Sequence, residues 1–504
     1  MNELAQRLSG LSPEQRRLLE LKLKRQNINI DTLRLMQNIG GSKQALYTAM
    51  VPVEEKEYYS LSSAQERFYL LHHMDSETQS YNMTGLMIME GELNKQQFEE
   101  AFRKLIERHE SLRTSFEMKD NETVQRIHHE VPFEIDYFDS GNREEDLIET
   151  FIRPFDLKQA PLLRLGLVRL EEKKHILMFD MHHIISDGAS MNLLIKDFSA
   201  FYSGEQPHPL RLRCKDYCEW QQNVLNSGQL KKQQEYWLNH FSGEIPVLNM
   251  STDCPRPEIQ SFAGDTIRFY FEEELTRRLN QLMRETKTTL FMVLLAFYNI
   301  VLSKYTVQED IIIGLPIAGR NHKDLENIIG LFMETLAVRN YPGCDKSFEE
   351  FLEEVRENTL NAFENQVYPF KELIKHVGVE NDPGRSPLFD AMLIVQNQNI
   401  EGNLEEIEIE KLKMVPYEGA APQPAKVDIG LEAESKKNRI FFKLKYCTTL
   451  FKRETMERFI TFFREVASTA VDNKKIKLKD IKISHDLVTT EANVYKTSDS
   501  EFEF

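Results

Sequence analysis

The chain has 504 residues, of which 41% are hydrophobic and 28% charged, which is typical of a globular protein large enough for two or three domains. A net charge of -17 argues against nucleic acid and against an anionic membrane surface as partners. The five cysteines suit free thiols in a reducing compartment, and the first residues show no signal-peptide pattern, so we expect a cytoplasmic protein.

The two ends of the chain are predicted to be linkers. Ser12 at a helix N-cap, followed by Pro13, predicts a helix start, and the segment from Arg16 to Arg25 is basic. We interpret residues 1–51 as an N-terminal helical linker or docking segment. The polar, acidic tail, residues 489–504, is interpreted as a second linker.

Residues 52–225 are predicted to form a first lobe of mixed helices and strands. The hydrophobic periodicity indicates, in order, a helix opening at Leu61, a strand ending at Gly91, a helix over Asn94–Ser111, a strand over Leu112–Phe116, a hairpin of Pro161–Leu170 with His175–Met181, and a helix ending at Gly204. In the second hairpin strand, Leu177 and Met181 lie on one face and Ile176 and Met178 on the other. Both faces are apolar, so we expect this strand at the centre of a sheet.

Residues 226–488 are predicted to form a second lobe of the same kind. The indicated elements are a helix over Thr288–Ser303, strands over Asp310–Pro316, Gly330–Arg339, Phe389–Val395 and Ile440–Tyr446, and helices over Phe348–Glu364 and Phe451–Val471. The longest apolar run, Phe291–Leu302, is too short to cross a bilayer and contains Asn299, so it indicates a buried helix.

Two histidines end the central strand. His182 and His183 are followed by Ser186, Asp187 and Gly188, a turn signal before the next helix. Because side chains alternate along a strand, the two imidazoles are expected on opposite faces, one entering a cavity and the other held in the protein. This arrangement favours a positioned base over a two-histidine metal site.

Metal binding is not expected elsewhere either. Cys214 and Cys218 lie four residues apart, but no His or Cys stands nearby at the spacing of a zinc site.

The string His-His-x-x-x-Asp-Gly resembles the active-site motif of condensation domains from nonribosomal peptide synthetases, whose superfamily includes chloramphenicol acetyltransferase. Further stretches resemble the other motifs of that family in the expected order, over roughly residues 58–485: Ser62–Tyr69, Arg108–Phe116, Asp216-Tyr217 with Trp220, Ile313–Arg320 with Gly330–Leu336, Tyr368–Phe370 and Arg385–Phe389.

The chain also departs from the family pattern. Glu334 stands where the family usually has Asn, and Asn365 and Val367 replace the usual His and Asp. Ser186 and Arg67 are more similar to the subtype that joins an L-configured donor to an L-configured acceptor.

The resemblance implies roles for single residues. His183 is expected to act as base or as positioner of the amine, and His182 to be structural. Asp187 either caps its turn or forms a salt bridge, for which Arg320 and Arg67 are both candidates. Ser190 and Gly188 are expected to bind substrate, and the Gly188 N–H to help hold the oxyanion.

The resemblance also implies an α/β fold of two chloramphenicol acetyltransferase-like lobes, arranged as a V-shaped pseudo-dimer with a central tunnel. The expected reaction is amide formation between a donor acyl or peptidyl thioester and an acceptor aminoacyl thioester. The domain itself is expected to bind no cofactor, since its substrates arrive on the 4'-phosphopantetheine arms of donor and acceptor peptidyl carrier proteins. An adenylation domain is an expected neighbour. A starter acylating domain, an ester-forming domain and a non-catalytic partner-recruiting member of the fold stay open as alternatives.

Overall fold

The computed structural model describes residues 49–139, 144–379, 382–396, 407–417 and 424–483. The helix predicted at Ser12, the basic segment Arg16–Arg25 and the tail 489–504 lie outside the described residues.

The first lobe is built on a six-stranded sheet. Its spatial order is β12 (Ile407–Ile409), β13 (Leu412–Pro416), β2 (Asn82–Gly91), β7 (Lys174–His182), β6 (Leu163–Glu171) and β5 (Asp136–Asp139). Only β5 and β6 pair in parallel; every other neighbouring pair is antiparallel. The predicted hairpin of β6 and β7 is confirmed, and β7 lies inside the sheet.

Both faces of β7 are covered, as its sequence predicts. Leu177 and Met181 belong to the large core beneath helices α2 (Lys95–Arg108) and α4 (Gly188–Tyr202), whereas Ile176 and Met178 pack with α3 (Glu144–Phe151). The period-two alternation of apolar side chains therefore places a helical layer on each face.

The second lobe is built on another six-stranded sheet. Its spatial order is β10 (Glu334–Asn340), β9 (Ile311–Ile317), β11 (Ala391–Gln396), β14 (Ile429–Lys436), β15 (Arg439–Cys447) and β8 (Gly264–Phe271). The mostly apolar helix α8 (Leu290–Thr306) runs through the core, capped by Thr289, and α9 (Phe348–Glu364) and α11 (Arg453–Asp472) pack against it.

Two strands cross between the lobes. β12 and β13 lie within residues 226–488, the predicted second lobe, yet β13 pairs with β2 of the first. Their side chains Ile409, Leu412 and Met414 are buried in the first lobe's core. A single boundary near residue 225 therefore does not account for this crossing segment.

The strand predicted over Leu112–Phe116 is wrong in its first half. Glu110–Arg113 form a 3-10 helix, and β3 (Thr114–Lys119) begins only afterwards. The Leu112 N–H donates to the His109 carbonyl, and the Thr114 hydroxyl donates to the Glu110 carbonyl, so local hydrogen bonds override the strand pattern. β3 then pairs with β4 (Glu122–Ile127), which with β1 (Tyr59–Ser60) completes a small third sheet.

The remaining helices complete the two lobes. They are α1 (Ser63–Met74), α5 (Cys214–Asn226), α6 (Lys231–His240), α7 (Glu273–Thr286) and α10 (Phe370–Val377). Among the described ranges, no single helix is long and apolar enough to cross a membrane; α7 and α8 pass that test only as a pair, bent by 105°.

Candidate active site

The double-histidine motif lies where β7 stops. His182 is the last strand residue, and His183–Ile185 form a 3-10 turn before α4 begins at Gly188. The His183 N–H donates to the Tyr81 carbonyl (2.9 Å), which fixes the turn against the start of β2. The strand therefore ends between the two histidines, and the expectation that their imidazoles lie on opposite faces stays a prediction.

His182 is held inside the first lobe. Its Nδ1 atom accepts the Ile184 N–H at 3.1 Å, and its ring meets those of His72 (5.5 Å) and Phe155 (6.2 Å) edge to face. Burial lowers the pKa of His182 to about 3, so the ring is neutral at physiological pH. These contacts fit the structural role expected of it.

The ring of His183 lies 4.8 Å from that of Phe68, which is one helical turn before His72 on α1. Its Nδ1 atom lies 2.9 Å from the Ser186 carbonyl oxygen. Because a carbonyl only accepts, Nδ1 carries the proton and Nε2 carries the lone pair. Burial, together with the positive charges of Lys426 and Arg67, lowers the pKa of His183 to about 3. The imidazole is therefore a neutral acceptor that orients a donor well and stores a proton poorly.

Asp187 combines both roles that the sequence left open. As N-cap of α4, its Oδ1 atom accepts the Ser190 N–H at 2.8 Å. The same oxygen lies 3.1 Å from Nη2 of Arg320, and Oδ2 accepts the Phe332 N–H at 3.0 Å. The side chain of Asp187 is buried, at 2% exposure, and that of Arg320 is largely shielded, at 9%.

Arg320 is the salt-bridge partner because the second lobe aims it at the motif. Its Nη1 atom donates to the carbonyls of Leu325 and Ile328, and its guanidinium lies 4.4 Å from the ring centroid of Phe332. Arg67, the other candidate, lies over Phe370 at 5.1 Å and makes no contact with Asp187.

Ser190 lies in the junction between α4 and the second lobe, and its expected role in substrate binding stays a prediction. Its hydroxyl accepts from Arg320 Nη2 (2.7 Å) and from the Gly330 N–H (3.1 Å), and lies 2.8 Å from Asp187 Oδ1. The residue is fully buried, so these protein groups use its hydrogen-bonding capacity. It strengthens the junction between α4 and the second lobe.

Gly188 is the first helical residue of α4 and is partly exposed. Its N–H belongs to the first turn, whose amides have no partner within the helix. It can therefore donate to an oxyanion, and the expectation for Gly188 remains a prediction.

Two groups that act on His183 could not be predicted from the sequence. Tyr81 acts through its backbone carbonyl, which has no residue signature, and Lys426 acts through charge from a distant part of the chain. The site thus combines a neutral imidazole acceptor, helix N-terminal amides and a buried ion pair across the lobes. Within the described ranges, no three metal-ligating side chains converge.

Comparison with known proteins gives one consistent family. A model of the condensation domain matches residues 55–491. Tyrocidine synthase 3 of Brevibacillus parabrevis is 45% identical over 444 residues, which is 88% of this chain and 7% of that protein. Gramicidin S synthase 2 of Brevibacillus brevis is 46% identical over 450 residues, which is 89% of this chain and 10% of that protein. The chain therefore spans only a small part of the length of these relatives.

A solved structure shows the same fold. The X-domain in its complex with OxyB from teicoplanin biosynthesis superposes with a TM-score of 0.80 at 24% identity, covering 87% of this chain and 99% of that one. The match agrees with the two six-stranded sheets and confirms the predicted two-lobed α/β architecture.

Proposed function

The chain belongs to the condensation domain family, acyltransferases of nonribosomal peptide synthesis, and we propose on that premise that it joins a donor acyl or peptidyl thioester to an acceptor aminoacyl thioester. The amine of the acceptor attacks the donor carbonyl, a C–N bond forms, and the C–S bond to the donor arm breaks. The thiolate that leaves takes up the proton that the amine loses.

His183 carries this proposal. A thioester is already activated, so the protein chiefly has to place the amine beside the carbonyl and guide one proton. The fixed tautomer of His183 presents Nε2 as an acceptor for an amine N–H. With a pKa of about 3, the imidazole suits transient proton transfer from the tetrahedral adduct better than removal of a proton from the free ammonium.

The helix amides and the ion pair complete the assignment. The Gly188 N–H is proposed to donate to the oxyanion of the tetrahedral intermediate. Asp187 and Arg320 act at a distance from the reacting atoms, since their contacts hold α4 against the second lobe. They are positioning residues.

The partners follow from the family. Donor and acceptor peptidyl carrier proteins are proposed to insert their 4'-phosphopantetheine arms into a tunnel between the lobes, and an adenylation domain is the proposed neighbour. The similarity of Ser186 and Arg67 to the L-to-L subtype makes an L-configured donor the first to test. We place the reaction in the cytosol.

The test uses two loaded carrier proteins. The chain is mixed with an L-aminoacyl donor carrier and an aminoacyl acceptor carrier, and the dipeptidyl thioester on the acceptor is measured by mass spectrometry. Product above the level of the His183→Ala variant supports amide formation.

Other outcomes select the alternatives. Product only with a fatty acyl donor indicates a starter domain, and product only with a hydroxyacyl acceptor indicates ester formation. Absence of product with every donor and acceptor, while a carrier protein still binds, would contradict catalysis and indicate a recruiting domain.

A further inference from the structure

Glu334 opens β10 beside the double-histidine motif. Phe332, two residues earlier, donates its N–H to Asp187 at 3.0 Å, and two residues of extended chain span at most about 7 Å. Glu334 therefore lies on the segment of the second lobe that is held against the motif.

The carboxylate of Glu334 is only partly satisfied. The backbone N–H groups of Thr335 and Phe370 lower its pKa and so favour its ionised form. The side chain is partly buried, and its Oε1 atom is enclosed and has no hydrogen-bond partner among the residues that the structure describes. A shielded acceptor without a partner favours a donor that comes within reach.

Helix α10 connects Glu334 with the surroundings of His183, because it packs against both β10, which begins at Glu334, and α1. The ring of Phe370, the first residue of α10, lies 5.1 Å from the guanidinium carbon of Arg67 on α1. The next residue on α1, Phe68, places its ring 4.8 Å from the ring of His183. The positive charge of Arg67 accordingly acts on the pKa of both Glu334 and His183.

Within the described part of the chain, no cation forms an ion pair with Glu334 within 4.0 Å. Burial raises the pKa of Glu334 to about 7, a rise that the positive charge of Arg67 opposes. The two side chains nevertheless form no ion pair within 4.0 Å. A cation in direct contact with the carboxylate would stabilise its ionised form better than Arg67 does at its distance.

Resting on the amide-forming function proposed above, we propose that Glu334 binds a protonated primary amine of the acceptor substrate. An ammonium has three N–H donors, and one of them meets the carboxylate. Two sources offer this chemistry: the α-ammonium of any aminoacyl acceptor and the side-chain ammonium of a basic one. The condensation domains that this chain resembles usually carry Asn at this position, so the negative charge is a feature of this chain.

Binding of acceptor mimics tests the proposal without turnover. The full chain and its Glu334→Gln variant are titrated calorimetrically with three pantetheine amides: glycyl, with an α-amine; glycolyl, with a hydroxyl; and 5-amino-2-hydroxypentanoyl, with a distal amine. Loss of a charge-assisted hydrogen bond predicts that the variant binds an amine mimic about 10- to 100-fold more weakly, and the glycolyl mimic less than about 2-fold more weakly. A loss confined to the glycyl mimic identifies the α-ammonium, and a loss confined to the distal amine identifies a side chain.

Equal weakening of all three mimics, or no weakening, would overturn the proposal. Glu334→Asp keeps a carboxylate and is expected to keep the preference for the amine, whereas Glu334→Asn is expected to lose it as Gln does. Glu326→Gln removes an exposed carboxylate of the same lobe and should change nothing. Because only binding is measured, a chain that prefers amines but forms no product would contradict the proposed function and leave this inference standing.

Discussion

At the scale of single residues, His183 illustrates how burial sets chemistry. The Ser186 carbonyl fixes its tautomer, and burial with two nearby cations keeps the ring neutral. An exposed imidazole would instead change its charge near neutral pH. His183 is therefore a weaker base than an exposed histidine, but its Nε2 atom stays a hydrogen-bond acceptor at neutral pH.

Replacing His183 by Ala removes that acceptor. We expect the condensation rate to fall about 10²–10⁴-fold, which is typical of a positioned acid–base group, while the fold is retained. The dipeptidyl product is measured under single-turnover conditions, beside a thermal melt. His208→Ala, at an exposed position, is the matched control and should be as active as the unchanged chain. Near-normal turnover by a folded His183→Ala protein would reduce this histidine to a minor role.

His182 links the motif to stability in acid. Its pKa of about 3 in the folded state lies below the ordinary value of about 6.5, so the unfolded chain binds more protons between these two pH values. The free energy of unfolding should therefore fall as the pH falls from about 6.5 towards 3, by at most about 1.4 kcal/mol per pH unit from this group. Urea unfolding of His182→Asn at several pH values should give a flatter dependence, whereas His208→Asn should follow the unchanged chain. An identical slope for His182→Asn would contradict the burial argument.

At the scale of elements, the junction between α4 and the second lobe depends on Asp187. One carboxylate caps the helix, accepts the Phe332 N–H and faces Arg320. Ser190, one turn along, binds both the Gly330 backbone and Arg320. The residue that caps α4 therefore also forms the contact with the second lobe.

Asp187→Ala should accordingly destabilise the protein strongly. The variant leaves Arg320 buried without its counter-charge, and loss of one partner of a buried pair costs roughly 3–5 kcal/mol. Loss of a helix cap alone costs about 1 kcal/mol. Urea unfolding distinguishes the two magnitudes. The control, Asp345→Ala, removes the carboxylate of an exposed pair with Lys479 and should lower the free energy of unfolding by at most about 1 kcal/mol. If Asp187→Ala lowers it by no more than this control does, the ion pair with Arg320 is not a major contribution to stability.

At the scale of the whole molecule, the lobes are joined by more than the site. β12 and β13 leave the second half of the chain and extend the sheet of the first lobe. Met414 of β13 lies opposite Met89 of β2 and is 3% exposed. Glu66 and Lys371 add an ion pair between α1 and α10. The two halves are therefore expected to unfold as coupled parts.

Met414→Ala tests the crossing strand. Removal of a buried Met side chain costs about 2–5 kcal/mol, and the loss should be felt first in the sheet that β13 extends. Hydrogen exchange should accelerate in β2 (Asn82–Gly91) more than in β9 (Ile311–Ile317) of the other sheet. Lys411→Ala, at a position with 78% side-chain exposure beside the same strand, is the control. Unchanged exchange in β2 would contradict a stabilising role for the crossing segment.

The sequence by itself determined the features that depend on neighbours along the chain. The two apolar faces of β7 and the helix that begins after Asp187 follow from local periodicity and capping chemistry. The same holds for α9, which begins after Ser347 and ends at Glu364 as its pattern predicts. The ordered motifs also predicted the family and the two-lobed fold.

Only the tertiary structure decided which distant groups meet. Sequence offered Arg320 and Arg67 equally to Asp187, and the path of the second lobe past the motif selects Arg320. Tertiary packing also buries Ser190 and pairs β13 with the sheet of the first lobe. It brings Glu334 within range of the charge of Arg67. These contacts join segments that are far apart in the sequence. Asp187 and Arg320 are separated by 133 residues, and Ser190 and Gly330 by 140. Local propensity carries no information about such contacts, because their free energy arises only when the two lobes exclude water between them.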